Sequence, residues 1–401
     1  MHPAGQPPRF DALDPAVLLD PYPEYERLRR AGPLCRFGPG SFGVTRHADV
    51  LALQRDPRLG SEFPEQYHQL SVGTGPAAAF FARIMLYRDP PEHPRLRRLV
   101  GKAFTPAVVR RIRGHIEELV GQLLAPALDG APYDLVGELA YPLPVLVISR
   151  LMGIPPQARD DVRRHALALG RAFSAIVPQQ ARGAADEAVD WLRGYLGSLL
   201  AQRRAHPGDD LLSDLLAAQD GADRLSFDEI VDNTVFSFFA GFETTVHLIT
   251  TGAAALLRYP DQLARLRADP ALVPAAVEEF LRYDAPIQGT ARLVHEPVMV
   301  GEHKVRAGRV LVLLLGCANH DPAVFDQPQR LDVGRTPNPH VTFGGGGHLC
   351  LGAFLARTEA AVVFDWIARR LDRFEPGGPA VRRVDTPFRA YASVPVLARA
   401  A

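Results

Sequence analysis

FGGGGHLCLG, at residues 343–352, places one cysteine at the end of a glycine-rich loop. Glycines lack a Cβ atom, so such a loop lets its backbone approach a flat or bulky group closely. From Leu351 onward the apolar residues recur with helical spacing, which predicts a helix directly after Cys350. Free N–H groups and the positive dipole at a helix N-terminus favour a thiolate over a thiol. The stretch therefore predicts a cysteine prepared for metal chemistry.

Three interpretations stay open on these residues alone. A thiolate held on a glycine loop is suited to be the axial ligand of a heme iron. Glycine-rich loops before helices also bind phosphates, although this loop has neither the lysine–serine/threonine pair nor the GxGxxG spacing of such sites. A lone cysteine at the start of a helix is, in addition, commonly a small buried hydrophobe.

The composition of the whole chain excludes some functions. The 401 residues are 47% hydrophobic and contain equal numbers of basic and acidic residues, 45 of each. A nucleic-acid-binding protein normally carries a basic excess, so we expect no nucleic-acid partner. The three cysteines, Cys35, Cys317 and Cys350, lie far apart without a disulfide pattern, which fits a reducing compartment.

The chain shows no targeting or membrane segment. Its proline-rich N-terminus lacks the apolar core of a signal peptide, and its apolar runs are too short to span a membrane. No internal repeat or Gly/Ser linker divides it. We therefore expect a cytoplasmic protein without a membrane anchor, monomeric, with one domain over residues 1–401.

Most of the chain has helical patterning, with β-structure confined to short segments. Residues 34–37 and 42–45 flank the turn sequence GPGS, which predicts a hairpin. A second β-region is predicted at residues 298–315. No regular alternation of strands and helices is present, so the sequence predicts a mainly α fold with small β-sheets.

One predicted helix is unusually long. Ser226 and Glu229 form a capping box, and helical spacing then continues without proline from Phe227 to about Arg258. Such a helix is roughly 48 Å long, about the width of a whole domain. We expect it to cross the interior of the protein.

Glu243 follows the most apolar part of this helix and precedes Thr244. A buried carboxylate costs several kcal/mol unless it is paired, hydrated or protonated. In one interpretation Glu243 points to solvent or pairs with His247, four residues on. In the other it is a proton-handling acid beside a hydroxyl group, in a helix opened by Gly241 to accept water. The apolar surroundings favour the second interpretation.

Two further pairs have helical spacing. Glu279 and Arg282 lie three residues apart on one face of a predicted helix. Surface pairs at this spacing are common and contribute little, whereas a buried pair would organise the core around the cysteine loop. His93 and Arg97 lie four residues apart and can reach one anionic group together.

Together these features resemble the cytochrome P450 family, in particular its soluble bacterial type. Residues 343–352 are similar to the family's FGxGxHxCxG heme signature, and residues 240–244 to its AGxET oxygen-activation sequence. Glu279 and Arg282 match its structural ExxR pair, and Arg330 occupies the position of the third partner. The motifs follow the family's order along nearly the whole chain. The resemblance implies the cytochrome P450 fold, a single large domain around a buried heme.

The resemblance also implies roles for individual residues. Cys350 is the expected axial ligand of the iron of heme b. Glu243 and Thr244 are the expected catalytic residues, which organise water and deliver protons during oxygen activation. His93, Arg97, Arg292 and His348 are expected to bind the heme propionates. The full set of expected cofactor-binding residues is His93, Arg97, Arg292, Phe343, Gly344, Gly346, His348, Cys350 and Gly352.

The implied reaction is that of a heme-thiolate monooxygenase. It inserts one atom of O₂ into a medium-to-large hydrophobic small molecule, by hydroxylation or epoxidation, as in secondary metabolism. Phe236, Phe239 and Ala240 are the predicted pocket residues. Polyketide, terpenoid, carotenoid, steroid-like and fatty-acyl substrates all fit such a pocket.

Electrons are expected from a separate ferredoxin and ferredoxin reductase. Arg95, Arg98 and Lys102 form a basic stripe, which is either a solvated face or a contact surface for an acidic ferredoxin. Two alternatives to the monooxygenase remain. One is a peroxide-driven or non-oxygenating member of the family, and the other is a heme protein that senses or carries a ligand without turnover.

Overall fold

The structure is a computed structural model that describes residues 6–173, 177, 179–217 and 225–400. Helices dominate it, separated by short 3₁₀ turns. The α-helices are α1 (Pro15–Leu19), α2 (Tyr22–Ala31), α3 (His47–Leu53), α4 (Glu65–Val72), α5 (Pro76–Phe81), α6 (Glu92–Val100), α7 (Pro106–Leu124), α8 (Pro142–Leu151), α9 (Arg159–Gly170), α10 (Gln179–Ala205), α11 (Leu211–Ala217), α12 (Phe227–Arg258), α13 (Pro260–Ala268), α14 (Val273–Tyr283), α15 (Leu315–Ala318) and α16 (Ala353–Arg370).

The strands are short and form small sheets. They are β1 (Leu34–Gly38), β2 (Ser41–Val44), β3 (Leu59–Gly60), β4 (Asp129–Asp134), β5 (Thr290–Val294), β6 (Val298–Val300), β7 (His303–Val305), β8 (Val310–Leu313), β9 (Leu371–Pro376), β10 (Val381–Arg383), β11 (Ala390–Ser393) and β12 (Pro395–Ala400). The sheet orders are β1-β2-β8-β5-β3, β4-β12-β9, β6-β7 and β10-β11. The predicted mainly α fold with small β-sheets is confirmed.

Both predicted β-regions are present. Strands β1 and β2 pair antiparallel across the predicted turn. The second region contains β6, β7 and β8, and β8 joins the hairpin through parallel pairing with β2. The largest sheet therefore combines segments from both ends of the chain.

Helix α12 has the bounds that the sequence predicts. The Ser226 hydroxyl accepts a hydrogen bond from the Glu229 N–H, and the Glu229 carboxylate accepts one from the Ser226 N–H. This capping box satisfies two N–H groups that the helix itself leaves free. The helix then packs against α8, α10, α14 and α16. Most of its residues are buried, so α12 crosses the core as predicted.

A buried ion pair lies in α14, beside α12. Arg282 donates from Nε and Nη2 to the two carboxylate oxygens of Glu279, at 2.7 and 2.8 Å. Neither side chain is exposed to solvent. Charge-assisted, two-pronged contacts of this kind are the strongest hydrogen bonds that a guanidinium makes. Pairs at this spacing are common on protein surfaces, but the pair of Glu279 and Arg282 lies in the core.

The third partner of this pair differs from the expectation. Arg335 donates from Nε to Glu279 at 3.0 Å. Arg330, which the sequence assigned to this position, contributes only its backbone carbonyl, which accepts from Arg282 at 3.3 Å. The assignment to Arg330 is therefore corrected to Arg335. The intervening turn directs the later arginine, and not the earlier one, toward the carboxylate.

The ion pair is connected to the cysteine loop through Asn319. Arg282 donates to the Asn319 carbonyl at 3.0 Å. The Asn319 side chain accepts from the Val341 N–H at 2.9 Å and donates to the Thr342 hydroxyl at 2.8 Å. Thr342 in turn donates to the Leu281 carbonyl at 2.7 Å. The residues that precede the cysteine loop are thus held from both sides by α14 and its partners.

None of the helices in the described ranges combines the length and the apolar character that a membrane span requires.

Glu279→Gln tests the energetic role of the ion pair. It leaves the Arg282 guanidinium buried without its counter-charge, so we expect the free energy of unfolding to fall by about 3–5 kcal/mol. Glu117→Gln is the matched control, because Glu117 pairs with Arg113 at 2.9 Å with both side chains about half exposed. The control should lose less than about 1 kcal/mol. Denaturant unfolding measures both, and equal losses would contradict the account.

Candidate active site

The cysteine loop is closed by its own backbone. The Cys350 N–H donates to the Phe343 carbonyl at 2.8 Å. Gly344 and Gly346 have φ angles of +72° and +62°, in the left-handed region that side chains disfavour. Helix α16 begins at Ala353, so Cys350 lies three residues before the helix instead of directly at its start.

Packing also requires glycine at one of these positions. A Cβ atom on Gly346 would lie 2.6 Å from the carbonyl oxygen of Gln54, which is too close for any side chain. Gly352 is different, because a Cβ atom there would have no neighbour within 4 Å. The structure therefore explains the glycine at Gly346 by protein contacts, but gives no such reason at Gly352.

Opposing effects act on the pKa of the Cys350 thiol. The dense protein around the sulfur raises its pKa above the ordinary value, although the residue keeps some exposed surface. Hydrogen bonds from the N–H groups of Gly352 and Ala353, and the charges of Arg97 and Arg357, act in the other direction. The helix N-terminus thus assists the thiolate as predicted, but desolvation outweighs it in the protein alone. A coordinated metal ion would deprotonate the thiol.

Four basic side chains lie together beside the loop. The rings of His93 and His348 are 3.9 Å apart, centroid to centroid. Burial, followed by the charges of His93 and Arg292, lowers the pKa of His348 to about 3. Burial and the charge of Arg97 likewise lower the pKa of His93. Among the described residues no carboxylate lies within ion-pair distance of Arg97 or Arg292. Such a cluster favours an anionic ligand.

Glu243 is buried in α12 and pairs with His247. Its Oε1 lies 3.2 Å from Nε2 of His247, and neither side chain is more than 4% exposed. Its Oε2 and the Nδ1 of His247 have no hydrogen-bond partner among the described residues. The pairing with His247, which the sequence left as an alternative, is therefore present. The other alternative, a Glu243 carboxylate that faces solvent, is excluded. The carboxylate keeps one oxygen unpaired.

The helix around Glu243 stays regular. Thr244 donates its hydroxyl proton to the Ala240 carbonyl at 3.1 Å. Gly241 packs tightly against α8, since a Cβ atom there would be 3.0 Å from the Ile148 side chain. The expectation that Gly241 opens the helix is corrected: α12 is α-helical throughout, and this glycine makes room for α8.

Comparisons with known proteins decide the family. A family model described as "Cytochrome P450" matches residues 29–387. The chain belongs to the cytochrome P450 family. It is 41% identical over 364 residues to nocardicin C N-oxygenase from Nocardia uniformis subsp. tsuyamanensis, covering 88% of this chain and 89% of that one. It is 39% identical over 360 residues to vitamin D(3) 25-hydroxylase from Pseudonocardia autotrophica, covering 88% and 87%.

A solved structure supports the fold of this cytochrome P450. The crystal structure of CalO2 superimposes with a TM-score of 0.92 and 36% sequence identity, covering 97% of this chain and 98% of that one. The expected cytochrome P450 fold is therefore confirmed. Relatives named as oxygenase and hydroxylase make this protein a cytochrome P450 monooxygenase, and the family implies a heme-iron cofactor.

The described residues fit such a cofactor. Cys350 offers a soft sulfur ligand for iron, on a loop whose glycines keep side chains away from its approach. In the cluster of His93, Arg97, Arg292 and His348, the two arginines offer positive charge for two carboxylates, and the neutral histidine rings offer N–H donors. Arg292 is 94% buried and is held by Thr290 and Ala291 through neutral hydrogen bonds, so its charge has no local counter-ion within ion-pair distance among the described residues.

The predicted pocket residues belong to a larger aromatic group. The ring of Phe239 stacks on Phe173 at 5.0 Å and lies 6.1 Å from Phe388, and Phe236 lies 6.2 Å from Phe173. Phe173 lies in residues 164–180, a segment that the sequence also suggests as a pocket wall, whereas Phe388 was missed because it lies far along the chain from α12. Ala240, the third predicted pocket residue, lies one helical turn after Phe236 in α12 and is partly exposed.

A second ion pair flanks the cysteine loop. Arg357 of α16 donates from Nε and Nη2 to the carboxylate of Glu278 at 2.6 and 2.8 Å, and His340 contacts the same carboxylate at 2.9 Å. Burial raises the pKa of Glu278, but these hydrogen bonds outweigh it and lower the pKa from 4.5 to about 2. No sequence pattern predicts the pairing of Glu278 with Arg357, because these residues lie on separate helices, α14 and α16.

The lowered pKa of Glu278 predicts a pH dependence. The stabilisation is fully present above pH 4.5, the ordinary value, and is lost as pH falls toward about 2. Unfolding free energies measured between pH 5 and 2 should therefore fall more steeply in the wild type than in Glu278→Gln. Glu375→Gln, which removes an exposed partner of Arg373, should keep the wild-type slope. A Glu278→Gln slope equal to the wild type would contradict the assignment.

Proposed function

We propose that this monooxygenase is a heme-thiolate enzyme that inserts one atom of O₂ into a medium-to-large hydrophobic small molecule, by hydroxylation or epoxidation. The observation that carries the proposal is the arrangement of the cysteine loop. Cys350 ends a loop in which Gly344 and Gly346 are required by backbone angle, and four basic side chains lie beside it. This is the environment that an iron porphyrin with two carboxylates needs.

The proposed cofactor is heme b. Its iron would be bound by Cys350 Sγ, and its propionates by the cluster of His93, Arg97, Arg292 and His348. Covalent attachment through a CxxCH sequence is excluded, because the chain contains no such sequence. Bound in this way, the heme would supply the activation of O₂.

Glu243 and Thr244 are the proposed catalytic residues. The unpaired Oε2 of Glu243 is available to exchange a proton with water, while Oε1 stays paired with His247. The Thr244 hydroxyl, anchored on the Ala240 carbonyl, would accept a hydrogen bond from a water molecule and fix its orientation. The pair would thereby hold protons ready beside an otherwise apolar pocket.

The pocket supports an apolar substrate. Its proposed walls are Phe236, Phe239 and Ala240 of α12, and the ring contacts of Phe236 and Phe239 with Phe173 and of Phe239 with Phe388 would extend them. Aromatic walls of this kind contribute contact area without directional hydrogen bonds, so they favour bulky hydrophobic molecules. The named reactions of the two sequence relatives differ from each other, and the proposal therefore stays at the level of substrate class.

We propose a ferredoxin as the electron donor, docking over the cysteine loop. Leu349 and Phe354 are exposed there, and Arg98 and Lys102 of the predicted basic stripe are exposed as well. Arg95 is removed from the stripe, because its guanidinium forms ion pairs with Glu92 and with Glu229 at the start of α12. An apolar centre with a basic rim fits an acidic partner.

The proposal also includes the domain organisation, the cellular location and the oligomeric state. We propose one domain over residues 1–401, since the largest hydrophobic cluster of the described residues draws on the chain from Val72 to Ala398 and two smaller clusters each join the N-terminal part to residues near 300. Cys35 and Cys317 are buried free thiols, which is in keeping with a reducing, cytoplasmic location. A monomer is proposed.

An optical titration tests the proposal. Hydrophobic metabolites added to the ferric, heme-loaded protein should shift the Soret band, because they displace water from the iron. Phe239→Ala should weaken this binding, whereas Phe354→Ala, an exposed phenylalanine outside the pocket, should leave it unchanged. A protein that shows no Soret band after heme reconstitution would overturn the proposed cofactor, and equal binding by Phe239→Ala would overturn the pocket.

Thr244→Ala tests the catalytic pair and separates the monooxygenase from the alternatives. Loss of the hydroxyl removes the group that orients water, so we expect product formed per reducing equivalent to fall several-fold while hydrogen peroxide rises. Thr245→Ala is the control, because Thr245 contacts the Gly241 carbonyl and lies about 100° further round the helix. Unchanged coupling in Thr244→Ala would indicate a peroxide-driven enzyme or a sensor.

A further inference from the structure

The guanidinium of Arg357 lies between two groups. On one side it makes the two-pronged contact with Glu278. On the other it lies over the ring of Phe343, with 4.4 Å between the guanidinium carbon and the ring centroid. These two contacts restrict the guanidinium although its side chain is 39% exposed, so they define the position of its charge.

Phe343 connects this charge to the cysteine. Its carbonyl accepts the hydrogen bond from the Cys350 N–H at 2.8 Å. Its ring also lies 6.0 Å from the ring of His340, the third group on the Glu278 carboxylate. The ion pair, the aromatic ring and the backbone of Cys350 therefore form one continuous chain of contacts, which holds a positive charge beside the cysteine loop.

We propose that Arg357, held in place by Glu278, is a positioning residue that sets the charge around the Cys350 thiolate and thereby the reduction potential of the heme iron. This inference rests on the proposed role of Cys350 as the iron ligand. A fixed positive charge near the sulfur draws electron density from it and stabilises the ferrous state, which carries one electron more than the ferric state. Glu278 fixes the guanidinium, and its own negative charge offsets part of the effect of Arg357.

Replacing the charge in two ways distinguishes this role from simple packing. Arg357→Gln removes the charge, so at a fixed applied potential the ferrous-to-ferric ratio should fall roughly threefold to tenfold. Arg357→Lys keeps the charge without the planar fork, so it should restore most of the wild-type ratio. Equal shifts in Gln and Lys variants would mean that the loop was only disturbed, and would overturn the proposal.

A second signal does not depend on turnover. The CO stretching frequency of the ferrous complex should decrease in Arg357→Gln, because a more electron-rich sulfur pushes more density through the iron. Arg369→Gln is the matched control: Arg369 lies in the same helix and pairs with Asp365 at 2.7 Å on an exposed surface. It should change neither the ratio nor the frequency.

A double variant tests the same role without leaving one charge of the pair unpaired, which could cause misfolding. Glu278→Gln combined with Arg357→Gln removes both charges, so neither is left without its counter-ion. We expect a shift in the same direction as in Arg357→Gln, but smaller, and no shift would overturn the proposal. The spectrum of the wild-type protein distinguishes a failure of the proposed iron ligand from a failure of the proposed role of Arg357. A wild-type CO complex without the red-shifted thiolate band would refute the proposed ligand, whereas a normal band with unshifted variants would refute only the role of Arg357.

Discussion

The buried contact between Glu279 and Arg282 is the constraint on which the site depends. A guanidinium and a carboxylate removed from water are stable only when nearly all their hydrogen-bonding groups are used, and here backbone carbonyls and Arg335 complete the set. One of those carbonyls belongs to Asn319, whose side chain holds the backbone before the cysteine loop. The need to satisfy a buried charge thus anchors the start of the cysteine loop, whose residues lie far from α14 in sequence.

The same principle explains the polar groups in α12. A helix that crosses the core has no solvent to satisfy a charged side chain, so Glu243 is paired with His247 one turn away. Within the part of the chain that the structure describes, one carboxylate oxygen and one ring nitrogen of the pair have no hydrogen-bond partner. Incomplete satisfaction in a buried site is costly, and such groups are commonly retained where they handle protons. The aromatic side chains around them keep this chemistry in an apolar setting.

Local patterns allowed much of this to be predicted, and distant contacts account for the rest. The bounds of α12 follow from its capping box and an uninterrupted helical spacing. The choice between Arg330 and Arg335 depends on how a turn directs two arginines five residues apart, which no spacing rule describes. Pairing of β4 with β12 joins segments about 260 residues apart, and only the folded chain brings them together. The contacts of Arg357 with Glu278 and Phe343 were not predicted for the same reason.

X-ray absorption at the iron edge of the heme-loaded protein tests the central claim most directly, because it reads the atoms bound to iron without any substrate or electron donor. The account predicts one sulfur neighbour in addition to nitrogen ligands, and its loss in Cys350→Ala. Cys317→Ala, a change at a buried cysteine in another part of the core, should keep the sulfur signal. An iron with only nitrogen and oxygen neighbours in the wild type would contradict the account.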